Sequence, residues 1–453
     1  MNLSNLIDSG VDAETEAPTD TGADPKLSIL QRLRGLGGGG REMWALVDQA
    51  MVSGTNFLTN IVLARFVGIE TFGAFALAWM VVLSANLFQT ALIVSPMTSL
   101  RPKVEEGGQA NYLGALLIHE GLFATSSAAI VQVVCCIAAN YFHKPEFRLL
   151  SGGLSAATFF YLVQDFLRRY LFTIRKGAAA FWIDVLSYPP QVVIIALIAK
   201  LHGLSTGGAL WIVALTSACG SIVGLFHLEQ ARFTRSDVHR VAIRHWAMSR
   251  WLALSVILDW SSANLFFVVA PIYFGAAAAG AIRASQNLVG FSHIWFLGLE
   301  NVVPAETARK LHEQGLGAAQ RYLKHITLKW GSLTTLFVLA ICIAPRQLLH
   351  FTYGAQYDSY GSLLRLFGLN YFLMFFGVPV RAMLQALECT APMFWANVAM
   401  AAFSVAFASP FVRWFGLKGV VLGAIVVRLI YQGILFAALK RRIYQIKTQP
   451  AST

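Results

Sequence analysis

Residues 56–79 read NFLTNIVLARFVGIETFGAFALAW, and this stretch decides the fold. One apolar run ends near Phe66, a short turn runs from Gly68 to Gly73, and a second apolar run follows at once. Glycine at both ends of the turn lets the backbone reverse, so the two runs are expected to lie antiparallel. On the first run, Gln49, Ser53, Asn56 and Asn60 follow one another at steps of four, three and four, which places them on one helical face. Lipid cannot satisfy amides and hydroxyls. Such a stripe therefore belongs in a bundle interior or along a water-filled path.

Composition extends this reading to the whole chain. Its 453 residues are 56% hydrophobic and only 13% charged, with a mean hydropathy of +0.59. Soluble domains carry about 25% charged residues, so a polytopic membrane protein is indicated. The net charge of +12 does not point to nucleic acid, because the basic residues sit in short connections between apolar runs, where they set orientation. Five cysteines, Cys135, Cys136, Cys219, Cys342 and Cys389, fall inside apolar stretches without CxxC spacing. They read as small apolar side chains, with neither a metal site nor a disulfide framework. The first 25 residues hold six acidic residues and no Lys or Arg, the wrong start for a cleaved signal peptide.

The pattern divides the chain into a disordered acidic tail (1–25), a basic and amphipathic cytoplasmic segment (26–43), a six-helix lobe (44–228), a cytoplasmic connection (229–246), a second six-helix lobe (247–439) and a basic tail (440–453). Twelve apolar runs of about 20 residues are each long enough to cross ~30 Å of hydrocarbon. With the N-terminus inside, the even-numbered connections gather most of the Lys and Arg, so both termini are expected in the cytoplasm. Trp44, Gly68, Gly73 and Lys103 return 207 positions later as Trp251, Gly275, Gly280 and Lys310 (251 − 44 = 207). A constant offset over a whole hairpin makes helices seven and eight a second copy of helices one and two. Six helices per half is an even number, so the halves share one orientation about a pseudo-twofold axis along the membrane normal. The expected fold is therefore an all-α polytopic membrane protein of about twelve helices in two lobes.

No enzyme motif is present. There is no GxxxxGK[ST] and no GxSxG, and His119-Glu120 lacks the second histidine of an HExxH because that position is Phe123. The chain reads as a non-enzyme without cofactor or metal. What remains is polarity inside the membrane, which marks function because it is costly there. In helix eight, Arg283, Gln286, Asn287 and Gly290 share one face. Asp48 and Asp259, in equivalent helices, are candidates for ion coupling, with pairing to a nearby arginine as the other reading. Glu300, Arg381 and Arg428 are cavity or structural charges. Pro189-Pro190 and Pro379 should bend their helices, whereas Pro271 and Pro304 should end theirs.

The run Leu63-Ala64-Arg65-Phe66-Val67-Gly68, with Glu70, Phe72-Gly73 and Phe75-Ala76, resembles the first hairpin of bacterial polysaccharide and oligosaccharide flippases. These belong to the multidrug/oligosaccharidyl-lipid/polysaccharide exporter (MOP) superfamily. Outside this hairpin the resemblance is one of architecture. It implies an inner-membrane flippase moving a polyprenyl-pyrophosphate-linked oligosaccharide outward by alternating access, for surface or exopolysaccharide assembly. It also implies membrane lipids, a polysaccharide polymerase and glycosyltransferases as partners. Helices one, two, seven and eight would line a central cavity. Carried onto this sequence, Arg283 would meet the pyrophosphate, a role suited to a planar fork of donors. An ion pair of Arg283 with Asp259 or Glu300 is an equal alternative. The Gln49, Ser53, Asn56 and Asn60 stripe would meet sugar hydroxyls. Rival functions are an ion-coupled drug or metabolite exporter, a peptidoglycan-precursor flippase and a non-transporting scaffold for glycosyltransferases.

Overall fold

The computed structural model describes residues 39–448. The acidic tail, residues 26–38 of the basic segment and the last five residues lie outside the described residues. Among the described residues every regular element is helical. Six helices form the first lobe: α1 (Gly39–Phe66), α2 (Ile69–Gln89), α3 (Gln109–Tyr141), α4 (Glu146–Thr173), α5 (Gly177–Leu201) and α6 (Thr206–Phe226). The second lobe holds α7 (Arg235–Phe274), α8 (Ala276–Gly290), α9 (His293–Ile343), the short α10 (Pro345–Tyr353), α11 (Gly361–Ala386), α12 (Ala391–Phe415) and α13 (Leu417–Thr448).

Among the described residues, nine helical stretches are long and apolar enough to cross a membrane. The three remaining spans, α1, α4 and α8, are outside that set because they carry the polar chemistry: the amide stripe, the Asp165–Arg168–Arg169 group, and Arg283 on a helix of only 15 residues. Within each lobe the same pairs pack. In the first, α3 lies on α4, α1 on α5, and α6 on α4 and α5. In the second, α9 lies on α11, α7 on α12, and α13 on α11 and α12. This is the pseudo-twofold repeat in three dimensions.

The lobes meet most closely where α2 packs on α8. Gly68 and Gly275 open these helices at φ 86° and 74°, a left-handed region where a Cβ is strained. A Cβ on Gly73 would overlap the Ala276 carbonyl oxygen, and one on Gly280 would overlap the Ile69 carbonyl oxygen. Ala276 is the 207-offset partner of Ile69, just as Gly280 is of Gly73. The contact is thus reciprocal, as a twofold axis requires. Around it, Arg65 Nη1 donates to the Phe351 carbonyl (2.8 Å) and Gln356 Nε2 to the Ala64 carbonyl (3.0 Å), while the Ile69 amide donates to Gln356 Oε1 (3.1 Å). These bonds seal the hairpin end of the molecule. Arg65 makes a backbone hydrogen bond there rather than an ion pair.

Three local features differ from the sequence reading. Helix eight is split: α8 stops at Gly290, and α9 restarts at His293. Pro304 does not end α9, which breaks instead at Gly315 (φ 79°, ψ 179°). Pro271 lies inside α7, one turn before its end. After α2 the helix widens into a π-turn, Thr90–Val94, ahead of Pro96. Proline has no N–H to give the carbonyl four residues back. That carbonyl, of Leu92, is met by Ser249 Oγ of α7 (3.1 Å), which anchors α7 on the first lobe. The interlobe connection is tied down as well. Arg101 pairs with Glu229 (2.6 Å), whose carboxylate also accepts from Tyr170 Oη (3.0 Å).

Candidate functional site

Between the lobes, α2, α7 and α8 enclose a cavity of about 270 Å³. Its wall combines Trp79 and Trp260 with Ser84, Asn86, Asn264, Gln286 and Arg283. Steps of three and four residues bring Trp79, Leu83 and Asn86 of α2 to one side, and Trp260, Asn264 and Phe267 of α7 face them. Trp260 Nε1 donates to Ser84 Oγ (2.6 Å), a hydrogen bond that crosses from lobe to lobe.

Arg283 is the one charged side chain among the described residues of this wall. It has neither a hydrogen bond nor an ion pair to any described residue, and the titratable side chains near it are those of Tyr371 and Tyr353. Glu300 pairs with Arg381 instead. Asp259 lies by a different cavity. Neither of the ion pairs weighed for Arg283 is formed. A guanidinium without a counter-ion in a membrane cavity can hold an anion bidentately.

The other residues singled out from sequence are dispersed. Gln286 lines the cavity, whereas Asn287 donates to Tyr353 Oη (3.0 Å) beside the hairpin seal. No residue of the α1 stripe lines this cavity. Gln49 donates to Ser53 Oγ (3.1 Å), and Asn60 donates to the Asn56 carbonyl (2.8 Å). Trp79, Trp260, Asn86 and Asn264 escaped the sequence reading. Tryptophans and single amides in apolar helices form no polar stripe, and only the facing of α2 on α7 gathers them.

A second cavity of about 260 Å³ lies inside the second lobe, between α7, α11 and α13. Asp259, Asn370 and Arg428 line it, and Phe267 and Gln286 are shared with the central cavity. Arg428 has no hydrogen-bond or ion-pair partner among the described residues.

Asp48 is placed elsewhere, in a charge cluster buried within the first lobe. Arg168 contacts Asp48 (3.1 Å), Asp165 (3.0 Å) and Asp184 (3.5 Å), and Arg169 adds a second bond to Asp165 (2.7 Å). Asn86 links this cluster to the central cavity, donating to Asp165 (2.9 Å) and to Gln89 Oε1 (3.0 Å). Gln89 in turn donates to Glu120 (2.6 Å).

No family model and no curated protein matches the sequence. Among solved structures, the chain is similar to a multidrug resistance MATE family transporter of the MOP superfamily in its inward-facing conformation, with a TM-score of 0.72, 16% identity, and coverage of 88% of this chain and 96% of that one. An outward-facing conformation of a MATE family transporter gives 0.56 at 16% identity, over 90% and 93% of the two chains. The lipid II flippase MurJ, in an inward closed conformation, gives 0.63 at 12% identity, over 88% and 87%. At these identities the likeness establishes the fold: two lobes on the plan of MOP-superfamily transporters.

Proposed function

We propose that the protein is a flippase for a polyprenyl-pyrophosphate-linked oligosaccharide, taking its cargo at Arg283 and exposing it on the other side by alternating access. The observation that carries this reading is the unpaired Arg283 in a central cavity whose described wall holds no carboxylate. Such a cavity favours an anion and disfavours the cations that many drugs are, because no wall group balances a positive charge. Two tryptophans and three amides beside the guanidinium suit sugars, whose rings present C–H faces and a rim of hydroxyls. The first-hairpin motif, Leu63 to Ala76, points to polysaccharide export. A peptidoglycan-precursor flippase would use the same pyrophosphate contact, and the likeness to MurJ keeps that cargo as the second reading.

In this mechanism the sealed hairpin end is periplasmic, both termini are cytoplasmic, and the membrane is the bacterial inner membrane. The lobes rock while the lipid tail stays in the bilayer. Asp48, in a cluster reaching the cavity through Asn86, is the group we assign to ion coupling in the first lobe. The polymerase and glycosyltransferases of the pathway are the expected partners.

The test is transport by Arg283→Ala and Arg283→Lys in proteoliposomes, using a fluorescent polyprenyl-pyrophosphate oligosaccharide and, in parallel, a lipid-linked peptidoglycan precursor. Loss of one bidentate charged contact worth about 1.5–3 kcal/mol predicts a fall of roughly tenfold or more for Ala and a smaller one for Lys. Wild-type rates from both variants would remove Arg283 from the mechanism. Transport of the peptidoglycan precursor alone would select the second reading.

A further inference from the structure

The second-lobe cavity adjoins the central one at Gln286 and Phe267, which line both. Three polar groups in it lack partners among the described residues. Asn370 is 8% exposed, and its Oδ1 accepts no hydrogen bond. Arg428 Nε is buried and donates to nothing. Asp259 is exposed towards the cavity and its carboxylate has no hydrogen-bond or ion-pair partner, since Ser262 Oγ bonds only its backbone carbonyl (2.8 Å). The two buried ones, Asn370 Oδ1 and Arg428 Nε, each cost of the order of 1–3 kcal/mol when unpaired, so the arrangement calls for an occupant.

The chemistry of the wall narrows what that occupant is. A metal cation bound by Asp259 would face the Arg428 guanidinium, and a phosphate bound by Arg428 would face the Asp259 carboxylate. One positive and one negative group together suit a neutral ligand that both donates and accepts. Hydroxyls do both: one can donate to Asn370 Oδ1 or Asp259, and another can accept from Arg428. Phe267 and Tyr371 add apolar surface for the C–H face of a ring. At about 260 Å³ the chamber falls below the ~300–1,000 Å³ of pockets for drug-sized ligands, which is room for one ring and not for a chain.

We propose that this chamber is a subsite for a single neutral pyranose unit of the cargo, with Asn370 and Arg428 inside it and Asp259 at its mouth. The proposal rests on the oligosaccharide reading above and deepens it. Arg283 holds the charged anchor in the central cavity, and the chamber reads one sugar beside it. Selectivity arises because a cargo without a matching hydroxyl leaves Asn370 and Arg428 unpaired.

The experiment is a titration of the full chain in lipid nanodiscs with glucose, galactose, mannose, N-acetylglucosamine and N-acetylgalactosamine. Binding is read by calorimetry. At least one sugar is expected to bind saturably in the millimolar range. Asn370→Leu and Arg428→Met are each expected to weaken it at least tenfold, with Asn370→Ser intermediate, and Arg283→Ala leaves it in place because Arg283 lines only the central cavity. Absence of saturable binding by every sugar would overturn the proposal. So would binding that survives both Asn370→Leu and Arg428→Met in monodisperse protein, or competition by sodium or inorganic phosphate in place of sugar. Sugar binding that persists while Arg283→Ala transports at the wild-type rate would sink the pyrophosphate role and leave the subsite standing.

Discussion

Two arginines show how environment divides one residue type between structure and function. Arg168 is 15% exposed and touches three carboxylates, whereas Arg283 touches none. Removing one partner from a buried ion cluster leaves the others uncompensated, at about 3–5 kcal/mol. Arg168→Met is therefore expected to lower the thermal stability of the purified protein by that order, measured as the midpoint of aggregation or tryptophan emission on heating. Arg283→Met should do the opposite of what its burial suggests. Removing an unpaired charge leaves the midpoint unchanged or raises it, while transport falls. Parallel losses of stability and transport in Arg283→Met would make this arginine a structural one. Residue spacing put Arg283 on a polar face of helix eight, and the resemblance to flippases singled it out for the phosphate. It left the ion pair with Asp259 or Glu300 open, because the direction of Glu300 depends on α11 supplying Arg381.

The decisive element is the turn from Gly68 to Gly73 with its repeat from Gly275 to Gly280. Because Gly73 and Gly280 each abut a carbonyl of the opposite lobe, Gly73→Ala and Gly280→Ala must push α2 and α8 apart. Either change is expected to increase labelling of a cysteine placed at Ala76, in a cysteine-free background, by an impermeant thiol reagent added from the hairpin side. Unchanged labelling would show that the seal tolerates the added methyl. The two effects should not add, since both act on one contact. Gln356 donates to the Ala64 carbonyl and accepts from the Ile69 amide across this seal. At about 1 kcal/mol per hydrogen bond, Gln356→Ala should shift the closed state by roughly 2 kcal/mol and raise the same labelling. Arg65→Ala removes one exposed bond and should do less. The repeat was legible here because glycine positions survive as an offset in the sequence. The break between α8 and α9 was not, since neither Gly290 nor Ser292 differs from residues that helices elsewhere in this chain accommodate.

At the scale of the whole molecule, the two lobes are closed against each other at the hairpin end, where α2 packs on α8. Transport by rocking requires the seal to break in every cycle. Arg65→Cys with Phe351→Cys, joined by a cleavable bis-thiol linker across the 2.8 Å contact of the native side chain, should stop transport. Cleaving the linker should restore it. Full transport by the linked protein would rule out opening at this end. The pairings within each lobe make the lobes natural rigid bodies, and α7, held to the first lobe by Ser249 and Trp260, spans both.

By itself, the sequence determined a membrane-spanning helical protein in two halves of like orientation, because hydropathy, basic-residue asymmetry and the 207-residue offset are properties of the linear chain. Local periodicity also put Arg283, Gln286 and Asn287 on one face, and the resemblance to flippases gave Arg283 its expected role. Only the tertiary structure decided which polar side chains share a space. The α1 stripe turned to hydrogen bonds within its own helix, Asp48 joined a cluster with Arg168, and Trp79, Trp260 and Asn264 came together around Arg283. The reason is physical. Periodicity fixes the face of a helix, but what that face meets depends on helices far away in the chain, and in this protein those contacts run between the lobes.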